Sequence, residues 1–417
     1  MTASAPATDA PAIEGRPADS PPLGFREFVA LIAGLMALTA LGIDSMLPAL
    51  PAIGESLGVT GANERQFIIT VFLIGFGVAQ LVHGPLADRY GRKPVLGIAL
   101  AAYVVANIVA AFSSSFVLLL VARFIGGTAI AASRVVTVAL VRDCYSGRAM
   151  ARVMSLAFIV FMAAPVIAPT FGQAVLLVGN WRMIFWGIAA VSAAILLWFW
   201  IRMPETQHAE DRQPFSFGRL IGGWRLTLTD RYSIGYTLAS AALMGGLYGF
   251  INSIQQIVFD VFKRPDLLVP IFACTAGAMA IANLLNARIV MKLGTRLISH
   301  SALIGLIVLA GAHLALTLGG HETLWTFAIL QALMMACFGL ATSNFSAMAM
   351  ANMGHIAGTA SSVQGFTTVT AGALLGALIG QQFNGTTIPL YLGFFVAGLV
   401  SLAVVFVVER GRLFRPA

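Results

Sequence analysis

Charge is what this sequence has least of. Of its 417 residues only 10% are Asp, Glu, Lys or Arg, where a water-soluble domain normally carries about a quarter. A soluble globular enzyme and a disordered chain are both excluded. Cysteine is as scarce: Cys144, Cys274 and Cys337 are the whole complement. They form no even framework and no paired spacing, so neither a structural disulfide nor a metal site is expected, and no cofactor is implied. The phosphate-loop pattern G-x-x-x-x-G-K-[ST] is absent, which argues against an ATP-driven pump. No nucleophile with a base and no ligand cluster marks an enzyme. What abounds is apolar, with 59% hydrophobic residues and a mean hydropathy of +0.88. This is the composition of a polytopic membrane protein, and its formal charge of +8 reads as membrane topology rather than as nucleic-acid binding.

Residues 1–27 are rich in Ala and Pro and lack the basic start, apolar stretch and cleavage site of a secretory signal. They read as a disordered cytoplasmic tail. Beyond them the chain breaks into apolar stretches near the roughly 20 residues that a helix needs to cross a hydrocarbon core. They fall at 28–50, 66–86, 94–113, 116–141, 153–178, 183–201, 233–259, 268–287, 298–318, 324–350, 356–382 and 388–408. A lipid-spanning sheet would need alternating residues, and these runs are apolar all round, so the fold class expected is all-α. The 42 glycines suit helices whose backbones approach closely.

Most of the 25 basic residues fall between spans on the side that holds both termini, and only Arg65, Arg182, Lys263 and Arg264 fall between spans on the other. The bias puts both termini in the cytoplasm. The longest connection, 202–232, separates residues 28–201 from 233–408, two six-helix bundles followed by a cytoplasmic tail at 409–417. Duplication is visible as well: residues 84–93 read GPLADRYGRK after the second span of one half, and residues 287–296 read ARIVMKLGTR after the second span of the other. In such parallel repeats substrate sits midway through the membrane between two rocking bundles. Aromatic and apolar residues at 214–229 suggest an interfacial helix in the central loop.

The segment 84–93 resembles the signature loop of the major facilitator superfamily, G-x-L-A-D-R-x-G-R-K, with every specified position filled. Within that superfamily the chain is most similar to the Bcr/CflA branch of drug:proton antiporters. The similarity is carried by residues 44–51 (DSMLPALP), 123–127 (RFIGG), Arg142 with Asp143, 164–172 (APVIAPTFG), 181–186 (WRMIFW) and 357–361 (AGTAS). The antiporter motif G-P-x-x-G-G is here Ala168, Pro169, Gly172 and Gln173. That departure keeps open an exporter or symporter of a sugar or other small metabolite on the same fold. The resemblance implies twelve transmembrane helices in a bacterial inner membrane, a monomer, and protons, a small amphipathic or drug-like compound and the lipid bilayer as partners, with no nucleic acid.

Asp44 is the one carboxylate well inside the spans, and an ionisable group there is by default a functional candidate. The bland alternative is a packing hydrogen bond or a hydrated acid near the surface. Arg123, at compatible depth in the outer half of span four, is its expected partner. About 6 Å apart at an effective dielectric of 20, the two would interact by roughly 3 kcal/mol, enough to couple a proton to the cavity or simply to make a static ion pair. Arg134 either snorkels to lipid phosphate or lines the inner vestibule. The resemblance implies that Gly84, Asp88, Arg89, Gly91, Arg92 and Asp143 form a conformational latch, with Asp88 facing the N-terminus of span eleven, and that Pro165, Pro169 and Gly172 form a bend in span five tied to antiport. Tyr248, Asn252, Gln256, Asn344 and Gln364 are candidate lining of a substrate cavity, or else polar glue between helices.

Overall fold

The computed structural model describes residues 23–208, 210, 212 and 217–414. The expected tail at 1–27, apart from residues 23–27, lies outside them, as do parts of the central connection and residues 415–417. The helices are α1 (Phe25–Asp44), α2 (Leu50–Ser56), α3 (Phe67–Tyr90), α4 (Arg92–Ala111), α5 (Phe116–Cys144), α6 (Gly147–Val178), α7 (Arg182–Arg202), α8 (Phe217–Thr229), α9 (Arg231–Gln256), α10 (Leu268–Leu293), α11 (Thr295–Leu318), α12 (Leu324–Met350), α13 (Ala357–Gln381) and α14 (Ile388–Val408). Twelve candidate membrane spans result, with α1 and α2 sharing the first and α8 lying in the central connection.

The ends follow local chemistry. Ser115, Asp230 and Thr323 cap α5, α9 and α12 by accepting backbone N–H bonds, the donors that a helix start leaves free. Gly91 and Gly294, at φ +100° and +78°, each turn the chain within one residue from one span into the next, a conformation that a side chain resists. Span one differs from the uninterrupted 28–50 read from hydropathy. Its α-helix stops at Asp44 and restarts at Leu50 after a short 3-10 turn over Leu47–Ala49. Pro48 and Pro51 lack the N–H that would continue the ladder.

The two halves pack alike. In the first, α1 packs on α5, α6 and α7, α3 on α5, and α4 on α5 and α7; in the second, α9 packs on α12, α13 and α14, α10 on α12, and α11 on α12 and α14. The halves meet through α3 with α13 and through α6 with α10, two pairs that exchange under the same correspondence. Large apolar side chains face outward, among them Ile98, Phe112, Leu177, Trp325 and Val407. A water-soluble monomer avoids such a continuous apolar exterior, and a bilayer requires it.

Candidate transport site

The break in span one makes the centre of the site. Asp44 is the last residue of α1, is 5% exposed, and its Oδ1 has no hydrogen-bond partner. α6 passes so close that a Cβ on Gly172 would lie 1.8 Å from the Ser45 carbonyl oxygen. Gly172 is thus what lets α6 reach the break. α6 remains helical through Pro165 and Pro169, so the expected span-five residues lie on a helix directly against the residue that follows Asp44.

The expected Asp44–Arg123 pair does not form. Arg123 is 2% exposed and donates from Nη2 to the Gly42 carbonyl at 2.8 Å and from Nε to the Ile68 carbonyl at 3.2 Å. Its guanidinium lies 4.1 Å over the Phe72 ring. The last carbonyls of a helix have no intrahelical donor, and because α1 stops at Asp44 the Gly42 carbonyl becomes available. Arg123 takes it and ties α5 to α1 and α3, and among the described residues no cation lies within 4.0 Å of Asp44.

Along their whole length α3 and α13 run antiparallel in one register. Gln66 bonds the Gly380 carbonyl, a Cβ on Gly77 would meet Thr370, a Cβ on Gly365 would meet Gln80, and a Cβ on Gly84 would lie 3.4 Å from the Ser362 hydroxyl. At the end away from α8 this seam becomes a polar seal. Gln66 donates to Gln256 at 2.5 Å, Gln256 to the Asn63 side chain at 2.8 Å, and Asn63 to the carbonyls of Gln381 and Phe383 at 3.1 and 2.9 Å. Asn252 reaches Thr70 beside it at 3.4 Å.

These bonds correct the expected cavity lining. Gln256 and Asn252 close the far end, Asn344 joins α12 to Asn286 of α10 at 2.9 Å, and Gln364 ties α13 to Ser233 at 2.9 Å and to the Ala349 carbonyl at 3.0 Å. Buried amides with helices on several sides satisfy one another before they face a void. Tyr248 is buried against Gly372 and Gly376, within electrostatic reach of both Asp44 and Arg134.

A cavity of about 640 Å³ lies instead at the α8 end, between α3, α5, α8, the end of α12 and the start of α13. Arg134 is on its wall, and so are Gly84, Asp88 and Arg92. Around Arg92 the latch residues assemble within the first half: Nη1 bonds Asp88 at 2.5 Å and Nε bonds Asp143 at 3.1 Å. Asp88 is therefore engaged by Arg92 and faces the start of α13 only across the cavity. Gly91 makes the turn, while Arg89 is exposed over the Tyr90 ring at 5.0 Å. The Glu205 carboxylate, which hydropathy and motif left without a role, accepts from the backbone N–H groups of Arg92 and Lys93 at 2.9 and 3.0 Å. Thr206 donates to Asp143 and Gln207 to the Asp88 carbonyl.

The second half repeats the device with other residues. Arg296, which matches Lys93 in the internal repeat, bonds Glu409 at 2.8 Å, and Tyr236 donates to the same carboxylate at 2.6 Å. Glu409 follows α14 as Glu205 follows α7. In each half an acid after the sixth span holds the start of the third.

The profile of the Major Facilitator Superfamily matches residues 32–377. The chain belongs to the major facilitator superfamily. Within this superfamily it is 30% identical over 387 residues to the bicyclomycin resistance protein homolog of Haemophilus influenzae, covering 92% of this chain and 96% of that one. It is 27% identical over 387 residues to the multidrug resistance protein MdtL of Escherichia coli K12, covering 91% and 94%. These relatives place it in the Bcr/CflA-type branch. Among solved superfamily structures, the human organic anion transporter TETRAN matches with a TM-score of 0.69 at 18% identity, covering 93% of this chain and 100% of that one. The E. coli xylose transporter XylE matches with a TM-score of 0.70 at 13% identity, covering 92% and 96%. At those identities the likeness is one of fold.

Two features of this superfamily member were not read from the sequence. Of the seal residues, Asn63 sits in the polar connection between two spans and Gln381 at the last turn of another, where an amide passes for a solvated group, and Glu205 sits after a span, where an acid passes for a solvated one. The signal available for Glu205 was its position beside Pro204, directly after the sixth span of a half.

Proposed function

We propose that this chain exports small amphipathic, drug-like compounds across a bacterial inner membrane in exchange for protons, by alternating access. The names of its relatives, bicyclomycin resistance and multidrug resistance, support the substrate class. The observation that carries the coupling is Asp44: a buried carboxyl with no cation within 4.0 Å among the described residues, at the break in span one, with α6 pressed on the next residue. A proton there discharges a buried, unpaired group, and substrate that needs the carboxylate competes with it.

In this reading the α8 end is cytoplasmic, in keeping with the basic residues gathered there. The Gln66–Gln256–Asn63 seal then closes the outer end while the cavity faces the cytoplasm. In the opposite state Asp44 takes a proton from outside, and the return releases it as new substrate binds. Each charge moved supplies about 2.3 kcal/mol per 100 mV, plus the pH gradient. Arg123 holds α1, α3 and α5 in place around the acid.

The test is proton release from the purified, detergent-solubilised protein on adding a panel of drug-like compounds. Release by the wild type that disappears in Asp44→Asn is expected. Equal release in the variant would move coupling to another residue, and binding without release would sink exchange with protons.

A further inference from the structure

The cavity at the α8 end holds more positive charge than its own acids neutralise. Arg92, Arg134 and Arg142 line it, with Asp88 as the acid on the same wall. Arg92 is engaged by Asp88 at 2.5 Å and by Asp143 at 3.1 Å. Arg134 and Arg142 have no carboxylate within 4.0 Å and no hydrogen-bond partner among the described residues. Arg134 sits roughly 15 Å along α5 from its end at Cys144, deep for a guanidinium that pairs with nothing.

The wall opposite has the same sign. α13 begins there at Ala357, its N-cap position is Ile356, and no side chain caps it. Ala357, Gly358 and Thr359 of its first turn line the cavity, and a helix start, whose first N–H groups have no intrahelical acceptor, favours negative charge. Leu220 and Trp224 of α8 provide the apolar face of the same space. At about 640 Å³ it is of the size that holds a drug-sized compound.

We propose that this cavity takes the acidic group of an amphipathic organic anion, a carboxylate or sulfonate on an aromatic body, with Arg134 as its counter-charge and the first turn of α13 as a second donor. The inference rests on the export reading and adds a second substrate class to it: an anion held by Arg134 does not need the Asp44 carboxylate, so it binds apart from the compounds that displace the Asp44 proton. Arg134 presents a planar pair of donors that matches a carboxylate, and Arg142 adds attraction nearer the mouth. An anionic lipid headgroup offers the same chemistry and is separated from a soluble anion by the test.

The full chain in phosphatidylcholine nanodiscs is titrated calorimetrically with 1-naphthoate, its neutral amide and the corresponding naphthylmethylamine, with empty nanodiscs subtracted. The expected order is naphthoate tightest. Arg134→Gln weakens naphthoate about tenfold, as loss of a charged hydrogen-bonded pair does, leaves the amide unchanged, and is rescued only in part by Arg134→Lys, which restores the charge without the planar pair of donors. Amide or amine binding as tightly as naphthoate, or naphthoate binding unchanged in Arg134→Gln, overturns the proposal. Adding phosphatidylglycerol to the nanodisc leaves naphthoate affinity intact if the ligand is a soluble anion; loss of naphthoate binding assigns the site to lipid and overturns the substrate role. Export of a cationic dye by proteoliposomes under a pH gradient separates the two readings. Export by wild type and Arg134→Gln alike, with no naphthoate binding, sinks the anion site alone, and absence of export of dye and naphthoate alike sinks the export reading.

Discussion

Gly172 stands where α6 crosses the break in span one, and the missing side chain decides how close the two helices come. A Cβ there would meet a backbone oxygen at 1.8 Å, whereas a Cβ on Gly34 would meet only the end of the flexible Ile195 side chain at 3.4 Å. Gly172→Ala is therefore expected to cost about 1–3 kcal/mol through forced backbone displacement, and Gly34→Ala less than about 0.5 kcal/mol. Thermal unfolding of both variants in detergent checks this, and equal midpoints would remove the close approach from the argument. Arg123 makes the same point about neighbours. Its burial was legible from its place in a span, but its partners were not. Whether it meets Asp44 or the Gly42 carbonyl depends on where α1 stops, and two prolines set that stop through bonds that hydropathy does not register.

Between elements, α3 and α13 form the longest contact across the halves, held in one register by small residues at Gly77, Gly84 and Gly365. A rocking mechanism has to open one end of this seam at a time. Cysteines placed by Gly84→Cys and Ser362→Cys, with Cys144, Cys274 and Cys337 replaced, are expected to crosslink under mild oxidant, and the crosslink to stop transport until a reductant restores it. Gly84→Cys with Thr370→Cys, more than two helical turns off register, is expected not to crosslink. Transport that continues at full rate with the first pair crosslinked would show that the α8 end of this seam does not open. The existence of each helix was legible because a membrane leaves the backbone no alternative to internal hydrogen bonds. The register was not, because apolar faces in lipid carry no pattern that says which neighbour they meet.

For the whole molecule, Glu409 ties the end of α14 to α9 and α11 through Tyr236 and Arg296. Burial alone would raise the Glu409 carboxyl, but the guanidinium at 2.8 Å and the hydroxyl at 2.6 Å outweigh it and hold the group below its ordinary 4.5. A carboxyl lowered by folding adds stability above its unfolded value and loses it as pH falls through the native value. The unfolding midpoint of the wild type is therefore expected to exceed that of Glu409→Gln at neutral pH, and the gap to close as pH drops below about 4.5. A gap independent of pH over that interval would show that the carboxylate charge contributes nothing.

Composition and the length of runs that are apolar all round by themselves determined that this chain spans a membrane as helices and how many times, because hydrocarbon admits only helices and closed barrels and a barrel needs alternating residues; the repeated loop at 84–93 and 287–296 determined that it is built from two similar halves. A complete signature loop in the sequence identified the superfamily. Tertiary structure alone decided what the polar groups inside the spans do. It set Asp44 without a cation, gave Arg123 to two carbonyls, turned Gln256 and Asn252 from cavity lining into a seal, and left Arg134 facing an open space. A polar side chain in an apolar helix announces that it needs a partner, and only the packing of other helices around it determines which partner comes within reach.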